Sequence, residues 1–432
     1  VKQIAERKDD TDVQQLLCNT LKSYLLLITV FFAVILLLLL VMASSLTLYV
    51  FGDSQYLYVY YAAILCLPIL MINSIPFSIL KAFKSVQEIA KARVIIMAIN
   101  ICILVPMMLI WRLDGAVGYV IISYIITFAV NFHFARVCYL RKYNISVSKI
   151  LKAKISQRYV KELLLFSGFG VSVGLFSIIS ELIIRSVVVD SLGIEAIGLY
   201  SPVIMWASML TGIVLPSFST YLYPRFCELE TPPEIVSLIN DGLRLGTLAL
   251  IPFIFFAIPF KYLFISVFYS SEFIAAAKYL PGHFLGLIFY VWWYAFSQSL
   301  TPTGRIKQHG IMMFLFYTIN ILIVTSFISS VGLYAYMAKF LIGPVLIFMV
   351  YLFYCKFSMG FKCFPHNVTL MLYLLFGTIG LICVDLLSDY HEINYILGPL
   401  MAIFTYFLLS SREKRYVTNK VLQVKSKLTV GW

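Results

Sequence analysis

Twelve long apolar segments constrain this sequence more than any other feature: residues 23–50, 57–80, 94–111, 116–138, 162–189, 195–222, 245–268, 273–300, 310–329, 332–354, 368–388 and 393–410. A helix rises 1.5 Å per residue, so about 20 apolar residues cross the roughly 30 Å hydrocarbon core of a bilayer. Backbone in lipid has to satisfy its own hydrogen bonds, which leaves helices or closed barrels. Barrel strands alternate apolar and polar over about ten residues, and these segments are too continuous for that. With 61% hydrophobic and 12% charged residues, the chain departs far from the about 25% charge of soluble domains. The expectation is an all-α polytopic membrane protein with about twelve transmembrane helices. A cytosolic enzyme, a secreted disulfide scaffold and a disordered chain are excluded.

The net charge is +13. Of the 33 Lys and Arg, 28 fall in the N-terminal segment, in alternate connections and in the C-terminal tail. Basic loops mark the cytoplasmic side, so both termini are expected there. Topology accounts for the basic balance, and nucleic acid is not a needed partner. The exceptions are Arg112, Arg185, Lys261, Lys278 and Lys339. No connection is long enough for a soluble catalytic domain, and no GxxxxGK[ST] occurs. The reading is a protein that is not an enzyme, without cofactor or metal. Eight scattered cysteines, none in CxxC, read as small hydrophobes.

Two weak internal matches point to a repeat. Asp12–Lys22 (DVQQLLCNTLK) aligns with Glu234–Arg244 (EIVSLINDGLR), each running from an acid to a cation before an apolar segment. Arg93 and Lys307, Gly118 and Gly332, and Lys142 and Lys356 align at a second, shared spacing. Parallel repeats of this kind are a transporter feature. Segments one to four then pair with seven to ten, leaving five and six unmatched. The expectation is two further helices before Val1, fourteen in the complete protein.

Several stretches resemble the polysaccharide (O-antigen) flippases of the Wzx type, in the superfamily that also holds the MATE exporters and the lipid II flippases. They are Leu192–Tyr200 (LGIEAIGLY), Ser217–Leu229 (SFSTYLYPRFCEL), Ser271–Leu280 (SEFIAAAKYL) and the segment start at Gly332–Lys339. The opening Lys2–Asp10 is similar to the stretch following the second helix in that family. The resemblance covers roughly residues 1–360. It implies two six-helix lobes around a central cavity opened alternately to either side. The expected division is 1–160 for the N-terminal lobe, 161–360 for the C-terminal lobe, 361–411 for an extra helix pair and 412–432 for a basic cytoplasmic tail. It also implies a multi-pass protein of the bacterial cytoplasmic (inner) membrane. The substrate would be an undecaprenyl-pyrophosphate-linked oligosaccharide repeat unit for O-antigen or capsule-like polysaccharide. Polysaccharide polymerase and chain-length machinery would be the partners.

Such a substrate asks for cations in a hydrated cleft, and charges inside membrane helices are functional candidates by default. Arg185, Lys278 and Lys339 are the candidate pyrophosphate and sugar ligands. Glu181, one turn before Arg185, is its candidate ion-pair and coupling partner. Lys278 is expected about five residues into the eighth segment, with Gly282 and Gly286 giving that face a close-packed or groove-like surface. Arg225 and Arg305, at cytoplasmic segment ends, are candidates for first contact with the headgroup. Asn100, Asn131, His133 and Asn320 are polar residues within segments, and interhelical hydrogen bonding is their default role. Asp385 is a weaker candidate for ion coupling. Two alternatives remain at this level: an ion-coupled drug or metabolite exporter of the MATE type, and a membrane-embedded polysaccharide polymerase.

Overall fold

The structure, a computed structural model, describes residues 13–51, 54–83, 85–140, 145, 147–153, 155, 157–229, 231–387, 392–410 and 413–415. Lys2–Asp10, Asp12 and most of the 412–432 tail lie outside them. The described elements are helical. In order they are α1 (Val13–Val41), α2 (Ala43–Phe51), α3 (Leu57–Ala82), α4 (Val86–Ala135), α5 (Val147–Lys152), α6 (Gln157–Leu192) and α7 (Ile194–Phe226). Then follow α8 (Pro232–Ala257), α9 (Lys261–Phe268), α10 (Leu280–Leu300), α11 (Ile306–Val331), α12 (Leu333–Met359), α13 (Pro365–Leu387) and α14 (Glu392–Leu408). A tight 3₁₀ stretch, Ser271–Tyr279, leads into α10.

Ten helices among the described residues are long and apolar enough to cross a membrane. One of them, Gln87–Leu140, holds two of the expected segments. A straight helix of that length would run about 80 Å, far beyond a bilayer. The chain turns instead at Arg112, where φ is 46°. Gly115 allows the return, since a Cβ there would sit 2.0 Å from the Met107 carbonyl oxygen. The twelfth segment corresponds to Ile393–Leu408, a shorter apolar helix. All twelve segments are therefore helical, and the all-α polytopic fold class stands.

Two boundaries differ from the sequence reading in an instructive way. The seventh segment was expected from residue 245, with 234–244 as a connecting linker. Instead α8 begins at Pro232, where two prolines sit at the first helical positions. Its first turns are buried through Ile235, Leu238, Ile239, Asn240 and Leu243. Hydropathy missed them because their polar members are paired internally. The Asn240 side chain donates to the Lys362 carbonyl at 3.0 Å and accepts from the Phe364 backbone N–H at 2.8 Å. The second difference concerns Lys278, which lies in the 3₁₀ stretch that opens the candidate span Ser271–Leu300 instead of in an α-helical turn.

The chain clusters into two compact units, Val1–Val171 with Tyr223–Glu228, and Ser172–Leu222 with Leu229–Trp432. In the first unit, α3 and the two halves of α4 pack together, with Leu80, Ile89 and Ala135 at their buried meeting point. In the second unit, α8, α10 and α12 form the dense core. There α10 and α12 approach through glycine. A Cβ on Gly286 would lie 1.7 Å from the Phe340 carbonyl oxygen, and one on Gly282 would lie 2.6 Å from Met337 Sδ. Small residues let backbones come close where apolar burial gives no drive for helix association. The same unit holds α13 and α14 against α8, where a Cβ on Gly398 would strike the Phe255 carbonyl oxygen at 2.1 Å.

Candidate functional site

The close α10–α12 contact fixes the neighbourhood of Lys339, which precedes Phe340 on α12. Lys339 is only 3% exposed. A buried ammonium needs a counter-charge, and Glu181 on α6 provides it. Lys339 Nζ donates to Glu181 Oε2 at 2.8 Å. The Tyr336 hydroxyl, one turn before Lys339, donates to Glu181 Oε1 at 3.1 Å. Arg185, one turn after Glu181 on α6, brings its Nε to the same Oε1 at 3.3 Å. One carboxylate thus serves two cations and a phenol.

The two cations differ in exposure. Arg185 is 57% exposed, while Lys339 is enclosed and its ammonium lies over the rings of Tyr336 and Phe340 at 4.3 and 4.6 Å. With two positive groups and one negative one, the cluster carries a formal surplus of one positive charge. Its outer member is a guanidinium, whose planar fork suits two oxygens of a phosphate.

Aromatic rings extend this cluster. Tyr200 on α7 packs edge-on to Tyr336 at 4.9 Å and against Tyr279 at 5.5 Å. Its hydroxyl lies 3.1 Å from His283 Nδ1. Tyr279 in turn meets Tyr334 at 5.0 Å. Lys278 is exposed and rests over Tyr279 and Tyr334, at 5.0 and 5.7 Å. Both lysines therefore cap rings of one connected tyrosine cluster, although only Lys339 touches Glu181. His283, Tyr290, Ser208 and Thr211 also line a pocket of about 180 Å³ beside this cluster.

The two remaining sequence candidates lie in different units. Arg225 is exposed in the last turn of α7. Arg305 precedes α11, and its Nη1 is buried without a hydrogen-bond partner among the described residues. Two further charge pairs were not anticipated as pairs. Lys261 at the start of α9 is bonded to Asp385 on α13, both well buried. Arg244 on α8 holds Glu413 through two bonds, Nε to Oε1 at 2.7 Å and Nη2 to Oε2 at 2.6 Å. This bidentate contact holds the Glu413 carboxyl down to about 2. Partners 124 and 169 residues apart in sequence carry no local spacing signal.

Fold and site together define an all-helical, polytopic membrane protein with buried ion pairs between its helices. Solved structures share this fold. A multidrug resistance MATE family transporter of the MOP superfamily, in an outward-facing conformation, superposes with a TM-score of 0.64 at 15% identity, covering 83% of this chain and 82% of that one. The lipid II flippase MurJ, in an inward closed conformation, gives 0.58 at 15% identity, covering 94% and 86%. A MATE protein in complex with MaL6 gives 0.65 at 15% identity, covering 83% and 82%. Among curated proteins, none matches this sequence. The model of the polysaccharide biosynthesis protein family matches residues 1–230, more than half of the chain, and the chain belongs to that family.

Proposed function

We propose that this protein is a flippase that carries lipid-linked oligosaccharide repeat units across the bacterial cytoplasmic membrane for surface polysaccharide assembly. Membership of the polysaccharide biosynthesis family and the MOP fold support transport of a precursor of this kind. The observation that carries the reading is the Glu181 cluster. A pyrophosphate approaching Arg185 competes with Glu181 for the guanidinium. Once it binds, Glu181 remains on Lys339 and Tyr336, so the buried ammonium keeps its partner. Reversing the exchange releases the phosphate. Arg185 is thus the gripping residue, Lys339 the fixed positive background and Glu181 the competitor that makes binding reversible. Lys278, over its tyrosines, adds a second exposed cation in the same unit. Arg225 and Arg305 are the first headgroup contacts in this scheme.

A MATE-type exporter of cationic drugs would call for a free intramembrane carboxylate. Glu181 and Asp385 are instead each bound to a cation. The cluster therefore favours an anionic cargo.

Proteoliposomes test the reading. Purified full-length protein should accelerate translocation of a fluorescent undecaprenyl-pyrophosphate oligosaccharide. Transport of a cationic dye with no effect on the lipid-linked sugar would overturn it.

A further inference from the structure

The first unit contains a cavity of about 640 Å³ that the scheme above leaves unused. Three helical stretches line it: α3, the first half of α4 and the second half of α4. Asn73 and Phe77 face it from α3, one turn apart. Arg93 and Asn100 face it from the first half of α4, two turns apart and so about 10 Å along the axis. Tyr119, Thr127 and Asn131 add polar groups from the second half, although the Thr127 hydroxyl is already bonded to the Ser123 carbonyl. Among the described residues no acidic side chain lines it.

The lining is graded. At one end the aromatic ring of Phe77 carries two cations, Lys81 at 4.6 Å and Arg93 at 5.9 Å. No acidic side chain is recorded against Arg93 among the described residues. Deeper in stand three neutral carboxamides. Asn131 donates to Asn73 Oδ1 at 3.2 Å. Asn100 Oδ1 is buried and has no hydrogen-bond partner among the described residues, an unusual cost in a native structure. Ser74, beside Asn73, is already engaged by Tyr24 at 2.6 Å and by the Met71 carbonyl at 2.5 Å. The carboxamides therefore supply the cavity's main uncommitted hydrogen-bonding capacity.

A carboxamide offers both donor and acceptor without a charge to desolvate. That chemistry suits sugar hydroxyl and acetamido groups, while Arg93 suits a phosphate. Pockets of this volume ordinarily hold small-molecule ligands, with a few placed polar groups setting orientation.

We infer that this cavity is a second substrate site, which receives the neutral sugar of a phosphate-linked glycan on Asn73, Asn100 and Asn131 with Arg93 at its phosphate end. The inference rests on the flippase reading and adds a glycan site to it.

Two probes separate the parts of this account: farnesyl pyrophosphate, and the same lipid carrying a disaccharide, both titrated into the full chain in nanodiscs. The wild-type protein should bind the glycosylated probe about tenfold more tightly, a difference of about 1.4 kcal/mol. Asn100→Leu and Asn131→Leu should erase that preference and leave the bare probe unaffected. Tyr119→Phe, which removes one hydroxyl and keeps the ring, should weaken the glycosylated probe alone. Arg93→Gln should weaken both. Equal binding of the two probes by the wild type, or equal loss of both in the asparagine and tyrosine variants, would overturn the inference and leave the flippase reading intact. Failure of the wild type to bind either probe would overturn both.

Discussion

Lys339 and Glu181 lie 158 residues apart in sequence and 2.8 Å apart in space. The ammonium is enclosed and the carboxylate is partly open. The pair is therefore asymmetric: losing the acid strands a buried cation, whereas losing the lysine leaves an acid that still has Arg185.

That asymmetry sets a first prediction. Glu181→Gln should destabilise the protein by about 3 kcal/mol, the low end for breaking a buried pair because one partner is partly open. Lys339→Met should cost less than Glu181→Gln, and the double variant should recover most of the loss. A double-mutant cycle on thermal unfolding in detergent measures the coupling. Additive effects would show that the two side chains do not interact.

Gly286 supports the same site from behind. Gly286→Ala places a methyl group against the Phe340 carbonyl, which cannot move without moving α12 and Lys339. Overpacking of this kind costs about 1–3 kcal/mol. Translocation should fall together with the melting temperature. Gly282→Ala meets only the flexible end of Met337 and should be much milder in both measurements.

Asp385 is paired with a buried cation. Its sequence position within an apolar segment suggested ion coupling, but it neutralises Lys261, which is 2% exposed. Asp385→Asn should cost about 3–5 kcal/mol, since an uncompensated ammonium remains. Lys261→Met combined with Asp385→Leu should restore stability and retain translocation. Loss of translocation in a stable double variant would return Asp385 to the coupling machinery.

The Arg244–Glu413 contact predicts a pH response. Glu413 titrates below the ordinary carboxyl value of 4.5, at about 2, chiefly because Arg244 donates to its ionised form. A depressed folded value means that the contact contributes its full stabilisation above pH 4.5 and loses it as pH falls toward about 2. Hydrogen exchange at Ser410 and at 413–415 should be slow at pH 6 and accelerate, after correction for intrinsic rates, across that window. Glu413→Gln should abolish the pH dependence. Unchanged dependence in the variant would assign the transition to another group.

Membrane helices are legible in sequence because lipid imposes a length and a composition on each of them. The expected segments all fall on helices for that reason, including the pair fused through Arg112. The start of α8 was less legible. Asn240 and Arg244 look like linker residues in a hydropathy profile, yet each is satisfied by a distant partner. The site was legible in the same uneven way. Glu181 and Arg185 share a helix face at i and i+4, so spacing alone paired them. Lys339 was visible as a lone charge, but its partner was not, because contact across α6 and α12 depends on how Gly286 lets α12 approach α10. Tyr336 was missed altogether. Its spacing of three residues from Lys339 was the available signal, and tyrosine is common enough in apolar helices to hide it. In the first unit, Asn100 and Asn131 each looked like an isolated interhelical hydrogen-bonding group, and Asn73 drew no notice, until the turn at Arg112 set all three around one cavity.

The central claim is that the Glu181 cluster holds the substrate's pyrophosphate. Binding of farnesyl pyrophosphate to the full chain in nanodiscs, compared between wild type and Arg185→Gln, tests it most directly, since Arg185 is exposed and its replacement leaves Lys339 paired. The account predicts at least about a tenfold weaker Kd in the variant with an unchanged melting temperature. Equal affinity in the two proteins would contradict it.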